Sequence, residues 1–402
     1  MAGMKVARRA HVPPFAVMEI LAAANARRAA GEDVLNLCAG EPSTGASDVV
    51  RQRAIDLLTS GGGLGYTEAL GVPALRSAIA QHYSERYELT LDPRRVAVTT
   101  GSSGAFVLAF LAAFDVGDRV ALAVPGYPAY ANILAALGCE VVIVPCGPET
   151  RYQPTVAQLA ALDPPVEGLV VASPANPTGT MIDPDELAAL ATWCGANGVR
   201  LVSDEIYHGI TYGSEATATA AHYLEGGAVV VNSFSKYWAM TGWRLGWMVL
   251  PDDLLPVVDA LAGNVALCPP ALAQHAGVAA FSPEGYAAAR QNVERYAAAR
   301  EHLLSRLPEL GWSRIAPADG AFYLYGDISA SGLDSITWCA RLLDEAGVAL
   351  TPGTDFDPVD GRSWVRLSFA SSVEVVREAV DRIVAWQRTL PDPTPPVPGA
   401  RV

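Results

Sequence analysis

Between residues 96 and 251 the chain alternates short apolar runs with segments that have the pattern of helices. Most of the runs are too continuously apolar to be strands that expose one face to water. One intervening segment, 183–197, opens with acidic residues, as helix first turns commonly do. This alternation predicts an α/β fold with a mostly parallel seven-stranded sheet that is covered by helices on both faces. The seven runs are 96–100, 119–124, 140–145, 168–172, 199–203, 228–232 and 244–250.

Polar motifs follow five of these predicted strands. Ligands of open parallel sheets bind at the carboxyl ends of the strands, where such motifs meet. The sequence therefore predicts a ligand site at that edge. The motifs are Gly-Ser-Ser-Gly at 101–104, Pro-Gly-Tyr at 125–127, Ser-Pro-Ala-Asn-Pro at 173–177, Asp-Glu-Ile-Tyr at 204–207 and Ser-Phe-Ser-Lys at 233–236.

A second, smaller domain is predicted after the sheet. A stretch rich in Ala, Arg and Glu runs from Pro283 to about residue 307 and predicts one long helix. Beyond it, strand-like segments (321–325 and 364–369) mix with helical ones (334–346 and 373–388), an α+β pattern. We expect residues 1–48 to join this small domain, 49–285 to form the large domain, 286–390 to form the interdomain helix and small domain, and 391–402 to be a disordered proline-rich tail.

Composition excludes several function classes. A formal net charge of −14 argues against nucleic acid or an anionic membrane as partner. The longest apolar stretch, 105–114, is far shorter than the about 20 residues of a membrane span. The first residues lack a signal-peptide core, so we expect a cytoplasmic protein. The six cysteines and six histidines show no disulfide or metal-ligand spacing, which predicts reduced thiols and no metal site.

Lysine is scarce, and its scarcity points to one position. The chain has two lysines, Lys5 and Lys236, against twenty-six arginines. Arginine can replace lysine as a cation, but it cannot form an imine with an aldehyde, because that reaction needs an amine that sheds its proton. Lys236 ends an apolar run and follows two serines, with Arg244 a few residues on. We therefore interpret Lys236 as a candidate nucleophile.

An ordered set of motifs carries a family resemblance over roughly residues 10–390. The chain resembles the class I, fold type I aminotransferases that depend on pyridoxal 5′-phosphate, in the branch with bacterial aspartate, alanine and valine enzymes. Each motif alone is weak, but the ordered set is specific. The motifs are Ala-Gly-Glu-Pro at 39–42, Gly-Tyr-Thr at 65–67, Pro-Gly-Tyr-Pro-Ala-Tyr at 125–130, Asn-Pro-Thr-Gly at 176–179, Ser-Asp-Glu-Ile-Tyr at 203–207, Ser-Phe-Ser-Lys at 233–236, Gly-Trp-Arg-Leu-Gly at 242–246 and Val-Arg-Leu-Ser-Phe at 365–369.

The resemblance implies catalytic roles for several residues. Lys236 would hold the cofactor aldehyde covalently and then act as general base and acid. Asp204 would pair with the protonated pyridine nitrogen. Tyr207 and Asn176 would hydrogen-bond the phenolic oxygen of the cofactor, and Tyr127 would stack on its ring.

The resemblance also implies how the cofactor phosphate is bound. Backbone amides at a helix start form an anion site, and hydroxyls and a guanidinium would complete it. Tyr66 would reach this phosphate from a neighbouring subunit, which implies a homodimer with shared active sites. The other predicted phosphate ligands are Ser102, Ser103, Ser233, Ser235 and Arg244.

Substrate recognition follows from the same resemblance. Arg366 would bind the substrate α-carboxylate through its bidentate fork, with Gly40 and Asn176 beside it. Aspartate-preferring relatives can carry a cation where this chain has Ser103, so a second carboxylate is costly to bury here. We expect a neutral donor such as alanine or valine and pyruvate or 2-oxoglutarate as acceptor. Apolar lining would come from Phe15, Val17 and Ile20.

Four alternatives remain open from the sequence. Aspartate aminotransfer stays open because an arginine from a flexible loop could bind a dicarboxylate, and a carbon–sulfur β-lyase would use the same cofactor. A cofactor-binding regulator is disfavoured because no basic helix-turn-helix extension is present in the sequence. A nicotinamide oxidoreductase is disfavoured because the glycine run at 61–65 follows a helix-like segment rather than a strand.

Overall fold

The computed structural model describes residues 4–213 and 217–391. The predicted tail therefore lies almost wholly outside the described residues. The chain forms two compact units: the described residues of Met1–Pro13, Glu41–Glu294 and Asp319–Ala321 make the first, and those of Pro14–Gly40, Arg295–Ala318 and Phe322–Val402 make the second. The sequence-based division at residues 48 and 285 stays a prediction.

The strands alternate with helices along most of the first unit. In the described ranges the strands are β1 Leu35–Asn36, β2 Val96–Thr99, β3 Arg119–Val124, β4 Glu140–Pro145, β5 Gly168–Ala172, β6 Arg200–Asp204, β7 Val229–Ser233, β8 Gly246–Val249, β9 Tyr323–Asp327, β10 Val348–Ala349, β11 Thr351–Pro352 and β12 Trp364–Ser368.

Helices lie at each of the segments where the sequence predicted them, 183–197, 283–307, 334–346 and 373–388. Over the same described ranges they are α1 Ala16–Ala29, α2 Asp48–Thr59, α3 Pro73–Tyr87, α4 Gly101–Ala113, α5 Ala129–Leu137, α6 Val156–Ala160, α7 Pro184–Asn197, α8 Leu255–Val265, α9 Ala271–Gly277, α10 Pro283–Ser305, α11 Leu307–Leu310, α12 Ser335–Ala346 and α13 Val373–Gln387.

A seven-stranded sheet organises the first unit. Among its described strands the order is β2-β8-β7-β6-β5-β3-β4, and β8 alone runs antiparallel to its neighbours. Most of its strand residues are buried, and β2, β7 and β8 are buried throughout. The predicted α/β fold with a mostly parallel seven-stranded sheet is confirmed.

The local chemistry explains where the helices around this sheet start and how they pack. Asp183 caps α7 by accepting the backbone N–H of Asp185 at 2.9 Å. Helix α4 begins at Gly101, whose φ of +69° lies in the left-handed region that favours glycine. Its apolar residues pack on the sheet, with Phe106 and Phe110 fully buried. Helix α4 is thus held tightly, and its first turn lies directly after β2.

The second unit has the predicted α+β character. Strands β11, β12 and β9 form an antiparallel sheet in that order, and β1 pairs in parallel with β10. Helices α12 and α13 pack together through Trp338 and Trp386, whose ring centroids lie 5.1 Å apart. The predicted small α+β domain is confirmed as a fold class.

The described residues offer neither a membrane-spanning helix nor a cluster of metal ligands. Every helix in the described part of the chain is too short or too polar to span a bilayer. Across residues 4–213 and 217–391, no three His, Cys, Asp or Glu side chains are grouped so that they could hold a metal ion. The six cysteines are all free thiols, and five of them are buried.

Candidate active site

The carboxylate of Asp204 lies at the carboxyl end of the central strand β6. It is 4% exposed and accepts hydrogen bonds from the Tyr130 hydroxyl and, at 3.1 Å, from the backbone N–H of Ile206. Burial raises the pKa of Asp204 to about 6, although both hydrogen bonds and the charge of Lys236 lower it. Asp204 is therefore a buried acid that titrates unusually close to neutrality.

Lys236 lies beyond the end of the neighbouring strand β7. A turn holds its backbone: the Met240 N–H donates to the Phe234 carbonyl at 3.1 Å, and the Ala239 N–H donates to the Lys236 carbonyl at 3.2 Å. The lysine is half-buried, and its charge lowers the pKa of Asp204. Lys236 thus lies close enough to the buried carboxylate to act on it electrostatically.

Aromatic side chains surround Asp204. The rings of Tyr127 and Tyr130 meet edge to face, with centroids 5.4 Å apart. The pKa of Tyr130 lies well above its ordinary value, chiefly because it is fully buried and also because Asp204, Tyr127 and Tyr207 lie nearby. Sequence reasoning selected Tyr127 and Tyr207 but gave Tyr130 no role. The sequence could have indicated Tyr130, because this residue is the last one of the family motif at 125–130.

Asn176 is buried in the loop that follows β5. Its turn is closed by the Gly179 N–H, which donates to the Ala175 carbonyl at 2.7 Å, and by the Ala175 N–H, which donates to the Thr180 carbonyl at 2.9 Å. Since β5 neighbours β6, this loop leaves the same sheet edge as Asp204. Asn176 and Asp204 therefore come from adjacent strand ends.

Close packing brings the start of α4 against β8. A Cβ at Gly246 would lie 2.9 Å from the Ser102 nitrogen, and one at Gly101 would lie 2.6 Å from Nη2 of Arg244. The Arg244 guanidinium also donates to the Thr241 carbonyl at 2.9 Å. The absence of side chains at the two glycines thus lets a helix N-terminus and a guanidinium approach each other.

Two serine hydroxyls belong to the same edge. The Ser233 hydroxyl donates to that of Ser235 at 2.7 Å and accepts the Ser235 N–H at 3.0 Å. Ser233 is the last residue of β7 and pairs with Gly246, and Ser235 follows it by two residues. Ser103 lies in the first turn of α4 and is exposed. Amides, hydroxyls and one cation therefore occupy one edge, a donor set that suits a phosphate.

A second buried carboxyl group lies beside Asp204 and was not predicted. Glu205 is 1% exposed and accepts the Thr219 hydroxyl at 2.8 Å and the Ala220 N–H at 2.7 Å. Nδ1 of His208 lies 3.3 Å from Glu205 and 2.7 Å from the Tyr87 hydroxyl. Burial raises the pKa of Glu205 to about 8 and lowers that of His208 to about 3. His208 is itself buried.

Arg366 belongs to the second compact unit. It is 3% exposed, and its guanidinium carbon lies 4.5 Å from the Tyr323 ring centroid and 4.6 Å from that of Phe356. It donates to the Cys38 carbonyl and, at 3.3 Å, to the Thr351 hydroxyl. A Cβ at Gly40 would overlap the Tyr323 hydroxyl, so this position needs glycine. Arg366 is therefore a buried guanidinium and is not exposed to solvent.

Tyr66 differs from the other predicted residues of the first unit. Its side chain is 85% exposed, so in a single chain most of its surface lies in water. The structure thus brings Lys236 and Asp204 together at one sheet edge and leaves Tyr66 projecting into solvent.

Comparison with known proteins decides the family. The family described as "Aminotransferase class I and II" matches residues 32–383. The chain belongs to the class I and II aminotransferases. It is 54% identical to the valine–pyruvate aminotransferase of Mycobacterium tuberculosis over 95% of this chain and 98% of that one, and 34% identical to the aspartate aminotransferase of Geobacillus stearothermophilus over 94% and 98%.

Solved structures agree with the family assignment. An aminotransferase from Mycobacterium tuberculosis superposes with a TM-score of 0.94 at 54% identity, covering 96% of this chain and all of that one. The aspartate aminotransferase of Thermus thermophilus with maleate gives 0.89 at 32% identity, covering 95% and 100%. This aminotransferase therefore has fold type I, and its family depends on pyridoxal 5′-phosphate.

The residues at the sheet edge of this aminotransferase fit that cofactor. A phosphate requires directed N–H groups and a cation. Gly246 lies against the Ser102 amide and Gly101 against the Arg244 guanidinium, so these donors are close together. A pyridinium nitrogen requires a buried carboxylate, and Asp204 is one. An aldehyde requires an amine, and Lys236 lies near Asp204. The donor set thus fits the phosphate, the ring nitrogen and the aldehyde of the cofactor.

Proposed function

We propose that this aminotransferase moves the amino group between a neutral aliphatic L-amino acid, of the valine or alanine type, and a 2-oxo acid, with pyruvate as the favoured acceptor. The single observation that carries the chemistry is the position of Lys236, whose charge acts on the buried Asp204 at adjacent strand ends. A lysine that lies next to such a carboxylate can hold the cofactor and exchange a proton at the same place.

Bound pyridoxal phosphate supplies a ring that accepts the electron pair left when the substrate loses its α-proton. Lys236 is the proposed Schiff-base lysine, and its Nζ would take up and return that proton. Asp204 would stay ionised opposite the pyridine nitrogen, and the Tyr130 hydroxyl holds its carboxylate in place. Tyr207 and Asn176 would orient the phenolic oxygen, and Tyr127 would cover one ring face.

The phosphate end would be held by the N-terminus of α4 and by Arg244. The amide of Ser102 lies against Gly246, and the paired hydroxyls of Ser233 and Ser235 lie on the same strand end. Arg244 supplies the permanent charge. Ser103 would add a further donor from the first turn of α4.

Arg366 is the proposed ligand of the substrate α-carboxylate. Its burial and the two aromatic rings beside it restrict its rotamers, so little freedom is lost when an anion binds. The backbone of Gly40 would join it. This role rests on the resemblance and on the burial of the guanidinium.

The neutral-donor proposal rests on Ser103 and on the relative. A position that can carry a cation in aspartate-preferring relatives is Ser103 here, and the 54% identical protein is a valine–pyruvate aminotransferase. We expect kcat/KM to be highest for valine or alanine, and at least about tenfold lower for aspartate, because an unpaired carboxylate is costly to bury. Kinetics with pyruvate and with 2-oxoglutarate as acceptors measure this, and an aspartate preference would overturn it.

Lysine scarcity makes the cofactor assignment directly testable. Borohydride reduction of the holoenzyme, followed by peptide mass spectrometry, should place the pyridoxyl label on Lys236. Lys5, which is exposed, is the internal control for non-specific labelling. A label on neither lysine would contradict the proposal. Pyruvate release from cystathionine without an acceptor would reveal β-lyase chemistry instead.

We also propose a homodimer with shared active sites. Tyr66 is 85% exposed and lies near Leu64 in sequence; Val265 and Leu267 are 55% and 49% exposed. Exposed apolar and aromatic side chains such as these favour an interface in which a second copy of the chain buries them. Light scattering should give a dimer mass, and Tyr66→Phe should weaken cofactor binding. The cytoplasmic location remains a prediction from the sequence.

A further inference from the structure

A cleft of about 420 Å³ lies between α3 and α10, wholly within the first compact unit. Its size falls in the range of small-molecule sites. His82 and Arg86 come from α3, and Tyr286 and Arg290 from α10; Tyr237 closes one wall. None of these side chains belongs to the proposed cofactor or substrate contacts, so the cleft needs its own explanation.

Two guanidinium groups, of Arg86 and Arg290, supply the positive charge of this cleft. Within the described residues, no carboxylate oxygen lies within 4.0 Å of Arg86 or Arg290, whereas many other arginines form ion pairs. Both cations act on the Tyr237 hydroxyl: burial raises its pKa, and Arg86 and Arg290 lower it. Two helices therefore direct positive charge towards one hydroxyl, which suits a small anion.

The wall of the cleft is held in place by buried groups. Nδ1 of His82 lies 2.7 Å from the Tyr286 hydroxyl, and the two rings stack with centroids 6.0 Å apart. Burial and the charge of Arg86 lower the pKa of His82 to about 3, so this ring stays neutral. Tyr286 thus has a fixed orientation, and a ligand that contacts it finds a surface that is already formed.

Two carboxylates, Glu85 and Glu294, also line the cleft. Glu85 acts on the hydroxyl of Tyr286, whose pKa is raised mainly by burial and also by that charge. A ligand with an ammonium group in addition to a carboxylate could use these acidic side chains. The substrates of an aminotransferase supply both kinds of ligand, since amino acids carry an ammonium group and 2-oxo acids do not.

The cleft adjoins residues of the proposed catalytic edge. Tyr237 follows Lys236 directly, and its ring packs against Gly209, where a Cβ would lie 2.6 Å from Cδ2 of Tyr237. Gly209 has a φ of +91°, so this contact depends on glycine, and it lies two residues after Tyr207. A ligand against Tyr237 would therefore touch the same backbone that carries Lys236.

We propose that the cleft between α3 and α10 is a second, non-catalytic binding site for a small carboxylate, an amino acid or a 2-oxo acid, held by Arg86 and Arg290. This proposal does not depend on which amino donor and which 2-oxo acid acceptor the enzyme uses. Its position beside Tyr237 would let the concentration of such acids act on the segment that carries Lys236.

Arginine footprinting of the holoenzyme tests this inference at the residue level. Phenylglyoxal modifies accessible arginines, and mass spectrometry measures each site separately. The two probes are isobutyrate, which has only a carboxylate, and 2-aminoisobutyrate, which adds an ammonium group and has no α-proton to lose. We expect each probe to slow modification of Arg86 and Arg290 at least fivefold. Arg53, exposed on α2 and outside the cleft, should react equally with and without probe.

Variants make the test specific. In Arg290→Gln, the probe concentration that half-protects Arg86 should rise at least fivefold, whereas Arg53→Gln should leave it unchanged. Protection by 2-aminoisobutyrate at a lower concentration would assign the site to amino acids, and equal protection would assign it to carboxylates in general. If neither probe slows modification of Arg86 and Arg290 while Lys236 still takes the pyridoxyl label, the second site is refuted and the proposed function stands.

Discussion

Asp204 and Glu205 are consecutive and equally buried, yet they lie in two differently built regions. Around Asp204 the neighbours include a titratable amine, Lys236, and tyrosine hydroxyls. Around Glu205 they are the neutral donors Ser203, Thr219 and Ala220 and a histidine whose pKa is lowered to about 3. Burial raises the pKa of both acids, but only Asp204 has a cation that favours its charged form. Equal burial therefore serves an ionic site in one case and a neutral hydrogen-bonded network in the other.

The strongest way to break this comparison is to remove the amine and keep the cation. In Lys236→Arg, transamination should fall by more than about 10,000-fold, because arginine cannot act as a nucleophile or shuttle a proton. Steady-state kinetics measure the loss. The melting temperature should stay close to that of the wild type, since a positive charge remains near Asp204, and retained activity would contradict the assignment.

Replacing each carboxyl by its amide compares the two regions directly. Asp204→Asn should lower kcat by roughly 100- to 1,000-fold, because the ring nitrogen loses its counter-charge. Glu205→Gln is the matched variant, since it makes the same chemical change one residue away. A loss of kcat in Glu205→Gln as large as in Asp204→Asn would show that the two regions are not distinct.

Removing one hydroxyl sharpens the account of Asp204. Tyr130→Phe deletes the hydrogen bond that lowers the pKa of that carboxyl, so the pH below which the cofactor dissociates should rise. At neutral pH the cofactor should bind about tenfold more weakly, as expected for a hydrogen bond to a charged group. Equilibrium dialysis across a pH series measures both effects. An unchanged profile would mean that Tyr130 only fills space.

The smallest effect on activity is expected at Glu205, where the signature is the pH dependence of stability. The pKa of Glu205 is about 8 in the fold and about 4.5 when unfolded, so the folded state binds the extra proton between these values. Stability from this group is present at low pH and is lost as the pH rises through about 8. Glu205→Gln should remove this loss, which is on the order of a few kcal/mol. Urea unfolding at about pH 6 and about pH 9 measures the change in the free energy of unfolding for the wild type and for Glu205→Gln. An equal change in both proteins would contradict the prediction.

Much of the fold was accessible from the sequence, because strands buried on both faces leave an unmistakable pattern. The predicted run 119–124 matches β3 at both ends, and 199–203 misses β6 by one residue. The run 244–250 predicted a strand where β8 lies, but the antiparallel direction of β8 within the seven-stranded sheet was not predicted, since apolar content carries no direction. The alternation of strands and helices identifies the layers, whereas the order of the strands depends on contacts distant in sequence.

The candidate site was predicted unevenly for the same reason. Lys236 and Asp204 follow strands and could be located by counting from them. Tyr130 and Glu205 act through partners 74 and 14 residues away, and no local pattern reveals those hydrogen bonds. The cleft residues Arg86 and Arg290 lie on helices whose pairing a single sequence does not disclose.

The contact between β8 and the first turn of α4 has a consequence for evolution and for design. A Cβ added at Gly246 would lie 2.9 Å from the Ser102 nitrogen. Even alanine at this position would therefore push the helix away from the strand. The amides at that helix start therefore keep one direction whether or not an anion is present, and binding costs them little conformational entropy. Variation that retunes this enzyme must consequently enter elsewhere, through the walls that meet the substrate, while this junction stays fixed.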